Sequence, residues 1–377
     1  MVDRARAVEG LEGLGLPIDG LDRTFWSGKR VLLTGHTGFK GSWAALWLSR
    51  LGAEVTGFSL APDTEPNLFT LASVDGCLRS RFGDLRDRAA ANEAVRDVNP
   101  QIVIHMAAQP LVRRSYTDPV ETFAANVMGT VHLLDALREA PALRTVLVVT
   151  TDKVYENAEQ GVSFVEDDPL GGHDPYSASK AATEIVVSSY ARSFLKERGV
   201  SVATARGGNV IGGGDFSEDR LVPDIWRALH AGKPLVLRNP AAARPWQHVL
   251  DCLNGYFAFV RGLSEGMDLP TALNFGPAPD APSVTVAALA EAVQAALGTD
   301  ADWKPANLEG PHEMTTLEID SSRARAMLGW HDRLPGGVGV EWLANWYRAL
   351  NRNENMQAFT LAQIEAYEER YRRAPGI

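Results

Sequence analysis

An apolar run, Lys29-Arg30-Val31-Leu32-Leu33-Thr34, leads directly into Gly35-His36-Thr37-Gly38-Phe39-Lys40-Gly41. Ser42-Trp43-Ala44-Ala45-Leu46-Trp47-Leu48 follows with apolar residues at helical spacing. Strand, glycine turn and helix in that order form the opening unit of an open α/β sheet. There the turn lets the backbone approach a pyrophosphate, and the helix N-terminus offers unpaired N–H groups and a favourable dipole. Gly35, Thr37, Gly38, Phe39, Lys40 and Gly41 are the candidate contacts. Without a ligand the same residues are simply a tight connection.

The pattern then repeats. Glu54-Val55-Thr56-Gly57-Phe58-Ser59-Leu60 reads as a second strand, which in dinucleotide-binding sheets usually ends in an acid that grips the ribose 2′-OH. It ends in Ser59, with Asp63 a little further on, so loose binding is expected and NADP stays an alternative to NAD. Asp84 and Leu85 follow a third strand and are placed to meet an adenine edge and face. Gln101 to Gln109 is a fourth strand with a small-residue end, where Ala107 and Ala108 would let a cofactor lie close and Gln109 is a further candidate contact; His105 reads as a core histidine. Asp118 to Ala140 has a helical pattern containing Asn126-Val127-Met128-Gly129-Thr130, costly in mid-helix unless it packs against something. This alternation predicts a Rossmann-type, doubly wound parallel α/β sheet with helices on both faces.

A fifth strand, Thr145 to Thr150, runs into Thr151-Asp152-Lys153-Val154-Tyr155, so a hydroxyl, a carboxylate and an amine stand at the sheet edge where such folds bind ligands. Tyr176 and Lys180, four apart on a predicted helix, share a face. An ammonium beside a phenol favours the phenolate, which makes Tyr176 a candidate acid/base. The same spacing also occurs in ordinary solvated helices.

Past Lys180 a further strand, Ser201 to Arg206, opens into the glycine-rich Gly207 to Asp215. Arg220, Arg238 and Arg244, with Asn239 and Trp246 between and beside them, suit a diphosphate and a flat base, because guanidinium forks bind phosphate bidentately and an aromatic ring offers a stacking face. Surface arginines and a core Trp are the plainer reading. The segments expected are an N-terminal extension over 1–24, a Rossmann domain over 25–206, a smaller mixed α/β substrate lobe over 207–350 whose chain can cross back to the first domain, and a helical tail over 351–377.

The bulk numbers narrow the function classes. The chain has 377 residues, 45% hydrophobic and 22% charged, with a formal net charge of -10, which argues against a nucleic-acid binder because phosphate backbones call for a basic footprint. Cys77 and Cys252 have no metal-type spacing, and a reducing cytoplasm is expected. No metal site, signal peptide, membrane helix or internal repeat is expected.

Taken together, Gly35 to Trp43, His105 to Arg113, Asn126 to Thr130, Thr151 to Asn157, Asn209 to Asp215 and Arg244 to Val249 resemble the signatures of the extended short-chain dehydrogenase/reductase family. Within it the closest resemblance is to the CDP-glucose 4,6-dehydratase group, over roughly residues 25 to 350. The resemblance implies NAD as cofactor, with Asn126, Thr150, Tyr176 and Lys180 added to the contacts named above. It implies CDP-glucose as substrate, with Gln109, Arg113, Tyr155, Asn157, Asn209, Leu221, Trp246 and His248 joining the arginines. It also implies roles: Tyr176, held as phenolate by Lys180, takes the 4-OH proton; Thr151 hydrogen-bonds that hydroxyl; Asp152 acts as acid and Lys153 as base in eliminating water. Relatives acting on dTDP-glucose carry Asp then Glu at that pair, whereas this chain carries Asp then Lys. A lysine base needs a lowered pKa, for which burial or a neighbouring cation such as Lys180 would serve. A homodimer or dimer of dimers, paired through the 118–140 and 176–198 helices, is implied as well. The rivals are a 4-epimerase, a dehydratase of another nucleotide hexose, and a binding module without turnover.

Overall fold

Strands buried on both faces need apolar side chains at successive positions, and the runs identified above supply them. The computed structural model describes residues 17–157, 161–299, 302–306 and 317–373. Its main sheet has seven strands: β1 (Arg30–Thr34), β2 (Glu54–Ser59), β3 (Arg79–Phe82), β4 (Ile102–His105), β5 (Thr145–Val149), β6 (Ser201–Gly207) and β7 (Ala272–Phe275). All pairings are parallel and the order is 7-6-5-4-1-2-3. The order reverses between β1 and β4, which opens a crevice at the carboxyl ends of the strands.

The helices that bear on the site are α1 (Phe39–Arg50), α2 (Arg88–Val98), α3 (Gly129–Leu137), α4 (Pro175–Tyr190), α5 (Leu221–His230), α6 (Val249–Ser264), α7 (Gly336–Asn351) and α8 (Met356–Arg373). Alternate side chains of β1 enter opposite layers. Val31 and Leu33 join Trp43, Trp47 and Phe257 of α1 and α6, whereas Leu32 joins Val95, Leu133 and Val187 of α2, α3 and α4. That is the doubly wound arrangement expected. His105 is the core histidine anticipated, held between Thr34 Oγ1 at 2.6 Å and Thr130 Oγ1 at 3.0 Å.

The 118–140 stretch is not one regular helix. A short α-helix, Pro119–Phe123, passes through a π-helical turn, Ala124–Met128, before α3. Asn126, inside that turn, donates to Gln109 O at 3.1 Å and Ser179 Oγ at 2.9 Å and accepts from Gln109 N at 2.8 Å, which offsets the cost of the irregular turn.

After residue 207 the chain builds two-stranded pieces. Val210–Ile211 pairs with Gln247–His248 and Leu235–Leu237 with Trp303–Pro305, both parallel, and Ala243–Arg244 pairs antiparallel with Val284–Thr285. β7 and α6, from the same half of the chain, return to the main sheet. Both described ends fasten behind it. Ile18 N donates to Leu328 O at 2.9 Å, and the buried Glu368 of α8 accepts from Trp47 Nε1 at 3.1 Å and Arg50 Nε at 3.2 Å.

Candidate active site

The glycines of the first turn separate fold from ligand. Gly35 has φ +76°, and a Cβ there would lie 2.7 Å from Ala107 N; at Gly41 it would lie 2.0 Å from Gly35 O. Packing alone dictates both. Gly38, the exposed N-cap of α1, would meet nothing closer than Gly35 O at 3.5 Å among the described residues, so none of them demands a glycine there. Its bare backbone instead leaves the helix N-terminus open, as a dinucleotide pyrophosphate requires. At the end of β2, Ser59 Oγ lies 2.9 Å from Thr37 Oγ1, which donates to Leu60 O; this hydroxyl pair can meet a ribose.

Other cofactor candidates make contacts within the protein. Leu85 is buried in the layer with α2 and α3, its carbonyl accepting from His132 Nδ1 at 2.8 Å. Asp84 is tied to Arg86 through the backbone N at 2.8 Å and Nε at 2.9 Å, contacts that hold its carboxyl below the usual range. Gln109 is buried, bonding to Leu111 and Thr122 as well as Asn126. Gln109 and Asn126 thus spend their polar atoms on shaping the β4 exit. Thr150 Oγ1 donates to Glu184 Oε1 at 2.5 Å.

The catalytic candidates do converge: Thr151, Asp152, Lys153, Tyr176 and Lys180 line one cleft, together with the cofactor candidates Lys40 and Ala108. Thr151 caps a 3₁₀ turn over Asp152–Val154, which presents three consecutive side chains around one carboxylate. Thr151 Oγ1 donates to Asp152 Oδ1 at 2.9 Å, and Lys153 Nζ donates to the same oxygen at 3.1 Å and to Asn209 Oδ1 at 3.4 Å. Asp152 is 1% exposed, and its Oδ2 has no hydrogen-bond partner among the described residues.

α4 is started by Asp174, which accepts from Ser177 N at 2.9 Å and Ser177 Oγ at 2.5 Å, with Pro175 at the first helical position. Its first turn also receives Ser115, whose Oγ accepts from Tyr176 N at 3.1 Å. Burial pushes the Tyr176 phenol up to about 12, with the Thr151 hydroxyl working against it. Burial, then the neighbouring Lys40 ammonium, pulls Lys180 down to about 7. Lys180 Nζ donates to Val149 O at 3.1 Å. Burial thus works against the expected phenolate, while the Thr151 hydroxyl and the Arg220 charge work for it.

Arg113, Asn209, Arg220, Leu221, Arg238, Arg244 and Trp246 line the same cleft. Tyr155, Asn157 and His248 are not among its lining residues. Tyr155 is buried, donating to Asn274 Oδ1 at 2.6 Å and accepting from Arg206 Nη1 at 2.9 Å, and the buried His248 caps α6 by accepting from Leu250 N at 3.3 Å. A single 3₁₀ turn rotates Tyr155 away from the direction of Lys153. Sequence reasoning missed the buried Glu184–Arg206 pair, at 3.0 Å, and the two acids Asp215 and Asp219 among the arginines. The signal for the pair was a charged residue closing an otherwise apolar strand.

A reversed parallel sheet, an open helix N-terminus and a Thr, Tyr and Lys in one cleft define a dinucleotide-dependent enzyme of the short-chain dehydrogenase/reductase type. Residues 31–274 match the NAD dependent epimerase/dehydratase family, and the chain belongs to it. It is 42% identical to CDP-glucose 4,6-dehydratase of Salmonella typhimurium, over 92% of this chain and 98% of that protein. It is 29% identical to dTDP-glucose 4,6-dehydratase of Xanthomonas campestris pv. campestris, over 84% and 92%. The structure of UDP-glucose 4-epimerase from Thermus thermophilus in complex with NAD superposes with a TM-score of 0.72 at 26% identity, covering 84% of this chain and 98% of that one.

Proposed function

We propose that this protein is a CDP-glucose 4,6-dehydratase, an NAD-dependent hydro-lyase that converts CDP-D-glucose to CDP-4-dehydro-6-deoxy-D-glucose. The observation that carries the reading is the Asp152–Lys153 contact of 3.1 Å beside Thr151. A 4-epimerase needs a tyrosine and a lysine but no second acid/base pair; elimination of water needs both an acid and a base. The 42% identity to a CDP-glucose enzyme supports the same substrate.

Gly35, Thr37 and Gly38 would hold NAD⁺ along the glycine turn, where it would supply the acceptor for the C4 hydride and the donor for reduction at C6. Tyr176 takes the 4-OH proton, and Thr151 orients that hydroxyl. The resulting 4-ketone acidifies the C5 proton. In the ion-paired state Asp152 is the anion and Lys153 the cation. One proton moving along their hydrogen bond converts them into the acid and base that elimination requires. Lys153 then removes the C5 proton while Asp152 protonates the departing 6-OH as water, and Lys153 returns its proton to C5 after reduction at C6. A proton passing from Tyr176 to Asp152, within the same cleft, closes the cycle. Asn209, held to Lys153, keeps the amine aimed. Arg113, Arg220, Arg238 and Arg244 hold the diphosphate, and Trp246 offers its ring to the base.

The test is incubation with NAD⁺ and CDP-glucose, dTDP-glucose, UDP-glucose or GDP-mannose in turn, with products identified by NMR. A 4-keto-6-deoxy sugar from CDP-glucose is expected; a C4 epimer, or product only from another nucleotide, would overturn the assignment.

We place the enzyme in the cytoplasm, a reading supported by its two free thiols, Cys77 and Cys252. We also assign a homodimer built through the 119–137 and 175–195 helices, where Val120 is 80% and Ile185 62% exposed, with Phe123, Met128 and Phe194 beside them in sequence also exposed. Ile185→Asp is expected to turn a dimer into a monomer in sedimentation velocity at micromolar concentration. A wild type that already sediments as a monomer would refute this.

A further inference from the structure

Three of the arginines that line the cleft are held by carboxylates of one short segment, 215–220, and the two carboxylates differ in how firmly they are fixed. Asp215 is buried, accepts from Ser217 N at 3.0 Å, and has its carbonyl fastened by Tyr347 Oη at 2.7 Å; Arg220 Nη1 lies 3.7 Å from its Oδ2. Asp219 is partly exposed, at 37% of its side chain, and sits in the left-handed region at φ +56°. Arg238 Nη1 donates to Asp219 Oδ1 at 2.7 Å and Arg238 Nη2 to its carbonyl at 3.1 Å. Arg113 Nε lies 3.8 Å from that same Oδ1. One carboxylate oxygen thus faces two guanidiniums that come from separate parts of the chain, and all three residues line the cleft.

We propose that Asp219 is an internal anion that competes with the diphosphate of the sugar nucleotide for Arg113 and Arg238, and so sets how tightly the substrate is held. The proposal rests on reading the cleft as a nucleoside-diphosphate site. A guanidinium accepts a carboxylate or a phosphate with the same fork of donors. A diphosphate carries more charge and more acceptor oxygens than one carboxylate and can satisfy both arginines at once. The Asp219 carboxylate, exposed and meeting both arginines through one of its two oxygens, can give way; Asp215, buried and fastened from two sides, holds Arg220 in place. The usual expectation for a charged residue in a binding cleft, that removing it weakens binding, is reversed here. Neutralising Asp219 leaves the two guanidiniums with one negative charge fewer among them.

Asp219→Asn is the informative variant, because Asn accepts the left-handed backbone and keeps an oxygen for Arg238 while losing the charge. By calorimetric titration at low salt, the Kd for CDP is expected to fall about threefold to tenfold relative to wild type. The Kd for cytidine, which has no phosphate, is expected to stay the same. In the Asp219→Asn/Arg238→Ala double variant the gain should shrink. A higher Kd for CDP in Asp219→Asn would make Asp219 a positioning residue and overturn the proposal. So would an unchanged Kd, or an equal change for cytidine, which would mean the cleft itself had altered. If CDP binds neither protein but UDP, dTDP or GDP does, the assignment of the base fails, and the same comparison with that nucleotide decides the role of Asp219. Failure of all four to bind either protein would end both.

Discussion

Lys153→Met is expected to stop water elimination while the first oxidation still runs. Methionine keeps the length of the side chain and removes its proton, so the C5 proton has no acceptor and Asp152 no donor along their 3.1 Å contact. The steady-state yield of 4-keto-6-deoxy sugar should drop about 10³-fold, in the range general acid–base groups supply. In a single turnover, reduced cofactor should build up and persist, because Tyr176, Thr151 and Lys180 are untouched. Near-ultraviolet absorbance follows the first step and NMR of the quenched product follows the second. Product formation within about tenfold of wild type would remove Lys153 from the mechanism. Equal loss of both steps would mean that the variant disturbs the cleft, and Asp152→Asn, which blocks proton delivery from the other side, should then be compared.

Glu184→Ala should be the most destabilising single change near the site. Glu184 and Arg206 are 5% and 6% exposed. Glu184 Oε1 accepts from Thr150 Oγ1 at 2.5 Å and Arg206 Nε at 3.2 Å, and Oε2 accepts from Thr204 Oγ1 at 2.7 Å and Arg206 Nη2 at 3.0 Å. Truncation leaves a buried guanidinium with Tyr155 Oη at 2.9 Å and Glu166 O at 3.0 Å but without the carboxylate. Stranding one member of a buried pair costs about 3–5 kcal/mol, a large part of the roughly 5–15 kcal/mol that holds a domain together. Urea unfolding followed by circular dichroism should show a correspondingly lower midpoint, and Glu184→Met with Arg206→Met should recover most of it. A shift worth under about 1 kcal/mol would show that water reaches Arg206. The effect reaches catalysis because α4 carries Glu184, Tyr176 and Lys180 together.

Much of the site was legible from local patterns. A glycine turn between strand and helix, a Thr-Asp-Lys triplet closing an apolar strand and a Tyr four residues before a Lys each depend on neighbours within a turn or two. The structure brings the last two to one cleft, together with Lys40 from the end of the glycine turn. The irregular 124–128 turn was legible as a cost and not as a shape, since only Gln109 and Ser179, distant in sequence, show what the Asn126 side chain does.

Alternating strands and helices, the apolar runs and the chemistry of the catalytic residues follow from the order of amino acids, because side-chain period and backbone preference act over a few residues. Which way a loop side chain faces does not. Tyr155 and His248 sit in motifs beside catalytic and phosphate-binding candidates, yet Asn274 and Arg206 draw one into the core and the start of α6 takes the other. Burial pushes the Tyr176 phenol up, and burial together with Lys40, which arrives from another element, pulls the Lys180 ammonium down. The pairing of Asp219 with Arg113 and Arg238 belongs to the same class. Charge, desolvation and hydrogen bonding depend on what stands within a few ångströms in space, and folding brings those neighbours from separate parts of the chain.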